Sequence, residues 1–150
     1  MISITGNKNI KPARSLSIVL ITRLPAPLII IVLWVLSSKS TLPKMKGILS
    51  FDKFLHFIAF AALSVACGLW FSRESWLGLP WRNFIICLAV ASVYGALDEF
   101  HQYFVPGRAS SVWDWVADIL GGAAGAVAIF LAARFWEGRM RRRRSLNTGC

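Results

Sequence analysis

The sequence predicts an all-α protein embedded in a membrane, a bundle of four transmembrane helices. Two features of the composition predict it. Apolar residues make up 56% of the chain and charged residues only 16%, below the roughly one quarter usual in soluble domains. The charges also collect at the two ends and in short breaks between apolar runs, as in polytopic membrane proteins. A soluble core of 150 residues could not hide that much apolar surface, so lipid is the simpler solvent.

The first apolar run centres on Leu24–Leu36. Thirteen residues are too few to cross about 30 Å of hydrocarbon. The span therefore needs Ser37 and Ser38, or an extension back through Leu20 with Arg23 snorkelling outwards. Pro25 and Pro27 near its start are compatible with a helix, because the first turn has no intrahelical use for those N–H groups. Lys8, Lys11 and Arg14 ahead of this run resemble the basic region of a signal peptide. The following Ser38-Lys39-Ser40 is a poor cleavage site, so the run is read as a retained span. The second span runs from Phe54 to Phe71, about 27 Å at 1.5 Å per residue. The third runs from Phe84 to Val105 and turns polar at Asp98. The fourth runs from Val112 to Trp136 and leads into an arginine run. The chain thus divides into a basic segment 1–23, a membrane domain 24–136 and a basic tail 137–150.

Orientation follows from the basic residues in the flanks. With four spans, both ends and the Ser72–Asn83 loop share one side. That side holds Lys8, Lys11, Arg14, Arg23, Arg73, Arg82, Arg134, Arg139 and Arg141 to Arg144; Lys39, Lys44, Lys46, Lys53 and Arg108 lie opposite. The excess predicts a multi-pass protein of the cell membrane with both termini cytoplasmic, although the four outer lysines run against the rule. The net charge of +10 needs no nucleic acid, since a juxtamembrane polybasic run binds anionic headgroups. Cys67 and Cys87 sit inside apolar runs, where a thiol acts as a small hydrophobe. Together with Cys150 they form no zinc or disulfide pattern.

This topology gathers the unusual polar residues at one face. Asp52, Lys53 and His56 open the second span; Asp98, Glu99, His101 and Gln102 close the third. Arg108 lies in the connection, and Ser111, Asp114 and Asp118 open the fourth. Ionisable groups at mid-membrane cost roughly 2.5–3.5 kcal/mol each on insertion scales, so grouping opposite signs lowers the cost. The cluster reads either as a polar pocket or as salt bridges and caps closing three helix ends. Asp52 and His56, four apart, share a face and could pair; Asp52 equally suits an N-terminal cap. Of the adjacent acids, Glu99 is expected to point inwards, with Gly95 clearing space on its stripe. Pro106-Gly107 marks a turn. Arg108 could then fork onto a phosphate or carboxylate, or pair with Asp114 or Glu99. Ser111 and Asp114 match a capping box. Asp118 follows Asp114 on one face, above a small-residue seam of Ala117, Gly121, Gly125 and Ala128 that admits a close neighbour helix.

Three stretches carry a family resemblance: Asp52-Lys53-Phe54-Leu55-His56-Phe57, Tyr94 through Gln102, and Pro106-Gly107-Arg108 through Asp114, Asp118 and Gly121. In this order they resemble the VanZ-like family, over residues 52–125. The family pattern often has asparagine where Asp118 stands. The resemblance implies a small multi-span membrane protein. Its founding member is associated with resistance to teicoplanin, whose target is cell-wall precursor outside the membrane. It implies no particular reaction.

Three functions compete. The first is an envelope protein whose outer polar pocket binds or shields an envelope lipid, glycan or cell-wall precursor through Lys53, His56, Glu99, His101, Gln102, Arg108, Asp114 and Asp118. The second is a membrane enzyme on a lipid-linked substrate. There His56, Glu99 and Asp114 act as acid and base, or hold a divalent metal with His101. The sequence assigns no metal ligand outright, because a helix with two histidines one turn apart and a glutamate between them is absent. It identifies no cofactor. The third is an oligomeric transporter subunit, for which no energising domain is visible.

Overall fold

The computed structural model describes residues 16–39 and 49–147. They form six helices: α1 (Leu16–Arg23), α2 (Pro25–Ser37), α3 (Leu49–Gly68), α4 (Arg73–Gly78), α5 (Pro80–Phe104) and α6 (Val112–Asn147). Among the described residues, four helical stretches are long and apolar enough to cross a membrane: Leu16–Ser37, Phe51–Gly68, Pro80–Phe104 and Val112–Asn147. The expectations on Lys8, Lys11, Arg14, Lys44, Lys46 and Cys150 fall outside the described residues.

The first span resolves the question of its length by extending both ways, back to Leu16 and on to Ser37. It bends at Leu24, where Pro25 cannot donate to the preceding turn. The ladder is carried across the bend by Leu24 N–H to the Leu20 carbonyl at 3.0 Å and Leu28 N–H to the Leu24 carbonyl at 3.1 Å. Arg23 is exposed on the outside of the bundle, inside the span rather than at its entrance.

The third span starts earlier than Phe84, because Pro80 takes the first-turn position it favours. The loop before it contains α4, which Ser72 caps by accepting from Ser75 N–H at 3.2 Å. Asn83 is fully buried beneath α4 and donates to the Ser75 hydroxyl at 2.9 Å. The helix of the fourth span does not stop with the apolar run at Trp136. Arginine is a good helix former, and α6 runs through the arginine run, where Glu137 pairs with Arg141 at 2.9 Å one turn on.

The interior is built on α3, α5 and α6, with α6 lying most extensively against α3. Phe60, Leu63, Ala66, Cys67, Cys87, Ala91 and Ala126 form its apolar part, sealed at one end by Trp76. Both cysteines are free and buried. The distribution of the remaining residues is inverted relative to a soluble protein. Asp98, Glu99, Gln102, Asp114 and Asp118 are buried, whereas Leu28, Ile31, Val93, Phe100, Trp113 and Leu131 are exposed. Apolar outside and polar inside is the arrangement lipid selects, since an ionisable side chain in a membrane must face the protein interior.

Candidate functional site

The site is positioned by small residues. A Cβ at Gly121 would strike the Phe57 carbonyl oxygen, and one at Gly125 the Ala61 carbonyl oxygen. Glycine at both places therefore lets α6 lie directly on the α3 backbone, and this contact fixes the register between the two helices. Asp118, one turn before Gly121, is thereby set opposite His56. The His56 Nδ1–H donates to Asp118 Oδ1 at 2.9 Å, and Asp118 is fully buried. Gly95 of α5 completes the fit: a Cβ there would lie 2.7 Å from Asp118 Oδ2. The space that Gly95 clears thus serves Asp118, not Glu99.

Of the two readings for Asp52, pairing with His56 is not the one adopted, because His56 is turned to Asp118; Asp52 stays exposed. Asp114 is buried and accepts from Lys53 at 3.0 Å. Ser111 caps α6, accepting from Trp113 N–H at 3.2 Å. The reciprocal half of the capping box comes from another helix: Ser111 N–H donates to Glu99 Oε2 at 2.7 Å. Asp114 is committed to Lys53 instead.

The adjacent acids face different neighbours, but the cavity-facing one is Asp98, while Glu99, expected inwards, reaches the start of α6. Asp98 is 3% exposed and Glu99 7%, and one oxygen of each is held. Gln102 donates to Asp98 Oδ2 at 2.8 Å, while Glu99 Oε2 takes the Ser111 N–H. The other two oxygens, Asp98 Oδ1 and Glu99 Oε1, are buried without a hydrogen-bond partner. Both acids can be interior because α5 is flanked here on one side by the start of α6 and on the other by a cavity.

That cavity, of about 210 Å³, lies between α2, α3 and α5. Leu33, Leu36, Leu55, Ala59 and Phe60 line its apolar part; Ser37, Asp52, His56, Asp98, Gln102 and Arg108 line its polar part. Arg108 arrives from a tight turn over residues 105–108, closed by Arg108 N–H to the Val105 carbonyl at 3.1 Å. Gly107 there has φ 84°, a left-handed conformation that glycine adopts without strain. The Arg108 guanidinium donates to the Leu36 carbonyl at 2.9 Å, and its Nε is buried without a partner. No carboxylate of the described residues pairs with it, neither Asp114 nor Glu99.

His101 stands apart. It stacks on Trp34 with ring centroids 4.0 Å apart and shares a hydrogen bond with the Ser38 hydroxyl at 3.0 Å. With Tyr94, which donates to the Ile30 carbonyl at 2.9 Å, it ties the first span to α5. The structure therefore gathers His56, Asp98, Glu99, Gln102, Asp114, Asp118, Lys53 and Arg108, and leaves His101 apart from them, against Trp34 and Ser38. Ser37 and the Leu36 carbonyl are additions that sequence reading missed; a backbone acceptor carries no residue signature. For Asp98 a signal existed, its four-residue spacing from Gln102. A second hollow of about 180 Å³, beside Trp136, Arg139, Met140 and Arg143, lies along α6 alone and holds no acid or histidine.

No curated protein and no solved structure shows significant similarity to the chain. A family model does: that of VanZ/LLP1 matches residues 5–133, a stretch that takes in all three motif segments and the whole polar cluster. By that match the chain belongs to the VanZ/LLP1 family.

Proposed function

We propose that the protein sits in the cell membrane with both termini cytoplasmic and its polar cluster at the outer face, where it binds or shields the head group of an envelope lipid or lipid-linked glycan. One observation carries the reading: a cavity with an apolar and a polar part, at whose edge Arg108 is committed to no carboxylate. A volume of about 210 Å³ is below the roughly 300–1,000 Å³ of sites that enclose a drug-sized ligand. It suits a head group whose acyl or prenyl chain lies on the apolar wall and continues into lipid. Phosphate and sugar oxygens are both acceptors that a guanidinium can fork onto. The association of the family's founding member with teicoplanin resistance fits a ligand of this kind, a cell-wall precursor exposed outside the membrane.

A polyprenyl-phosphate-linked disaccharide, titrated against the protein in lipid nanodiscs, tests the reading. A hydrogen bond to a charged group is worth about 1.5–3 kcal/mol, so Arg108→Ala should weaken binding about 10–100-fold. Arg108→Lys should restore part of it, keeping the charge and losing the fork. In a teicoplanin-susceptible host, Arg108→Ala should abolish any tolerance the wild-type chain confers, at unchanged abundance. Equal affinity of wild type and Arg108→Ala would contradict the assignment, and loss of the variant by degradation would make Arg108 a folding residue.

A further inference from the structure

We infer that His56, Asp98 and Glu99 form a binding site for a first-row divalent cation, Zn²⁺ or Mn²⁺, at the junction of α3 and α5. Each offers one ligand atom, and the three atoms lie within 4.8 Å of one another. Ligands about 2.0–2.2 Å from a shared ion lie at most about 4.4 Å apart, so binding would draw in any of the three side chains that stands wider than that.

Two independent features point to a cation rather than to an acidic cluster braced for stability. Asp98 and Glu99 are both more than nine-tenths buried, yet Asp98 Oδ1 and Glu99 Oε1 lack any partner. A buried polar atom left unsatisfied costs about 1–3 kcal/mol, and more when charged. Two such oxygens in one cluster with His56 call for a positive group among them. No basic side chain of the described residues bonds to either oxygen: Lys53 pairs with Asp114, and Arg108 bonds the Leu36 carbonyl and no carboxylate.

The second feature is the support behind each ligand. Asp118 takes the His56 Nδ1–H at 2.9 Å, which fixes the ring and leaves Nε2 as its free nitrogen. Gln102 holds Asp98 through Oδ2, and the Ser111 N–H holds Glu99 through Oε2. Every candidate ligand is thus oriented by a partner that binds its other polar atom, as in carboxylate–histidine–metal sites. A mixed nitrogen and oxygen set suits Zn²⁺ or Mn²⁺ better than Ca²⁺, which takes oxygen ligands. The alternative trio Asp52, His56 and Asp114 is also close, but Asp52 is exposed and Asp114 already accepts from Lys53.

With three protein ligands the ion keeps open positions. His56 and Asp98 line the cavity, so a head-group oxygen could complete the coordination, and the ion would offset the acids that otherwise repel an anionic ligand. The site stands on its donors and does not require the lipid-binding reading.

The test is metal stoichiometry. Protein purified in detergent with a tag free of histidine is loaded with Zn²⁺ or Mn²⁺, desalted and assayed by mass spectrometry of the elements. One ion per chain is expected in wild type and in Asp114→Asn. Asp98→Asn and Glu99→Gln, near-isosteric changes, should abolish retention, and Gln102→Ala should weaken affinity about 10–100-fold as a ligand-orienting residue. Electron spin-echo spectroscopy of the Mn²⁺ form should show coupling to one imidazole nitrogen, lost in His56→Gln. Absence of bound metal in folded wild type overturns the proposal, as does retention in Asp98→Asn with loss in Asp114→Asn. Metal without lipid binding would leave this site standing and remove the envelope-lipid reading alone.

Discussion

Gly121→Leu is expected to remove the folded protein from the membrane. A side chain at this position meets the Phe57 carbonyl oxygen of α3, and backbone cannot rotate aside as a side chain can. Overpacking usually costs about 1–3 kcal/mol, and a clash with backbone puts this case at or beyond the upper end. The damage would not stay local, because the same contact places Asp118 opposite His56. Gly138→Leu is the matched control: it lies on the same helix, a Cβ there meets nothing within 4 Å, and leucine is the better helix former by almost 1 kcal/mol. Membrane abundance and thermal unfolding in detergent check the pair. Gly121→Leu should melt far below wild type and Gly138→Leu at or above it. Equal melting of the two would mean that α3 and α6 do not pack through this seam.

The second large effect is expected at Asp118. Asp118→Ala removes the partner of His56 Nδ1 at a position with no solvent access. Breaking a buried pair by deleting one member typically costs about 3–5 kcal/mol, since the other is left uncompensated. Asp118→Asn should be much milder, under about 1.5 kcal/mol, because the amide oxygen still accepts from the imidazole N–H. A double variant, Asp118→Ala with His56→Ala, should cost clearly less than the two single changes added together. Additive losses would show that the two side chains do not interact, and thermal unfolding of the three variants decides it.

Much of this architecture was legible in the sequence, and the reasons are local. Apolar runs give spans, and Pro106-Gly107 gives a turn, because both signals lie within a few residues of the structure they dictate. The small-residue seam on α6 was readable for the same reason. The helix ends were less so: α6 outruns its apolar stretch by more than two turns, because an arginine-rich sequence remains a good helix even after it stops being a good span. Partnerships across helices were the hardest. Four-residue spacing puts Asp98 and Gln102 on one face, where they bond, and puts Asp52 on the face of His56, which turns to Asp118 instead. Periodicity says which residues share a face but not which helix that face meets. Once α6 packs through Gly121 and Gly125, Asp118 reaches His56 and Glu99 reaches the start of α6. His101, four residues after Leu97 on a lipid-exposed stripe, falls instead against Trp34. Separating the two histidines required knowing where the first span docks.

The most direct test of the account concerns the side of the membrane to which the cluster opens. Ala109 is exposed in the loop between Arg108 and Ser111, and it takes no part in the hydrogen bonds there. Ala109→Cys, in a chain whose Cys67, Cys87 and Cys150 are replaced by serine or alanine, would be treated in intact spheroplasts with a membrane-impermeant maleimide. Labelling without opening the membrane is the predicted result, and it would place the Arg108 cavity within reach of envelope lipids and cell-wall precursors. Labelling only after the membrane is opened would put the cluster in the cytoplasm and contradict the envelope function.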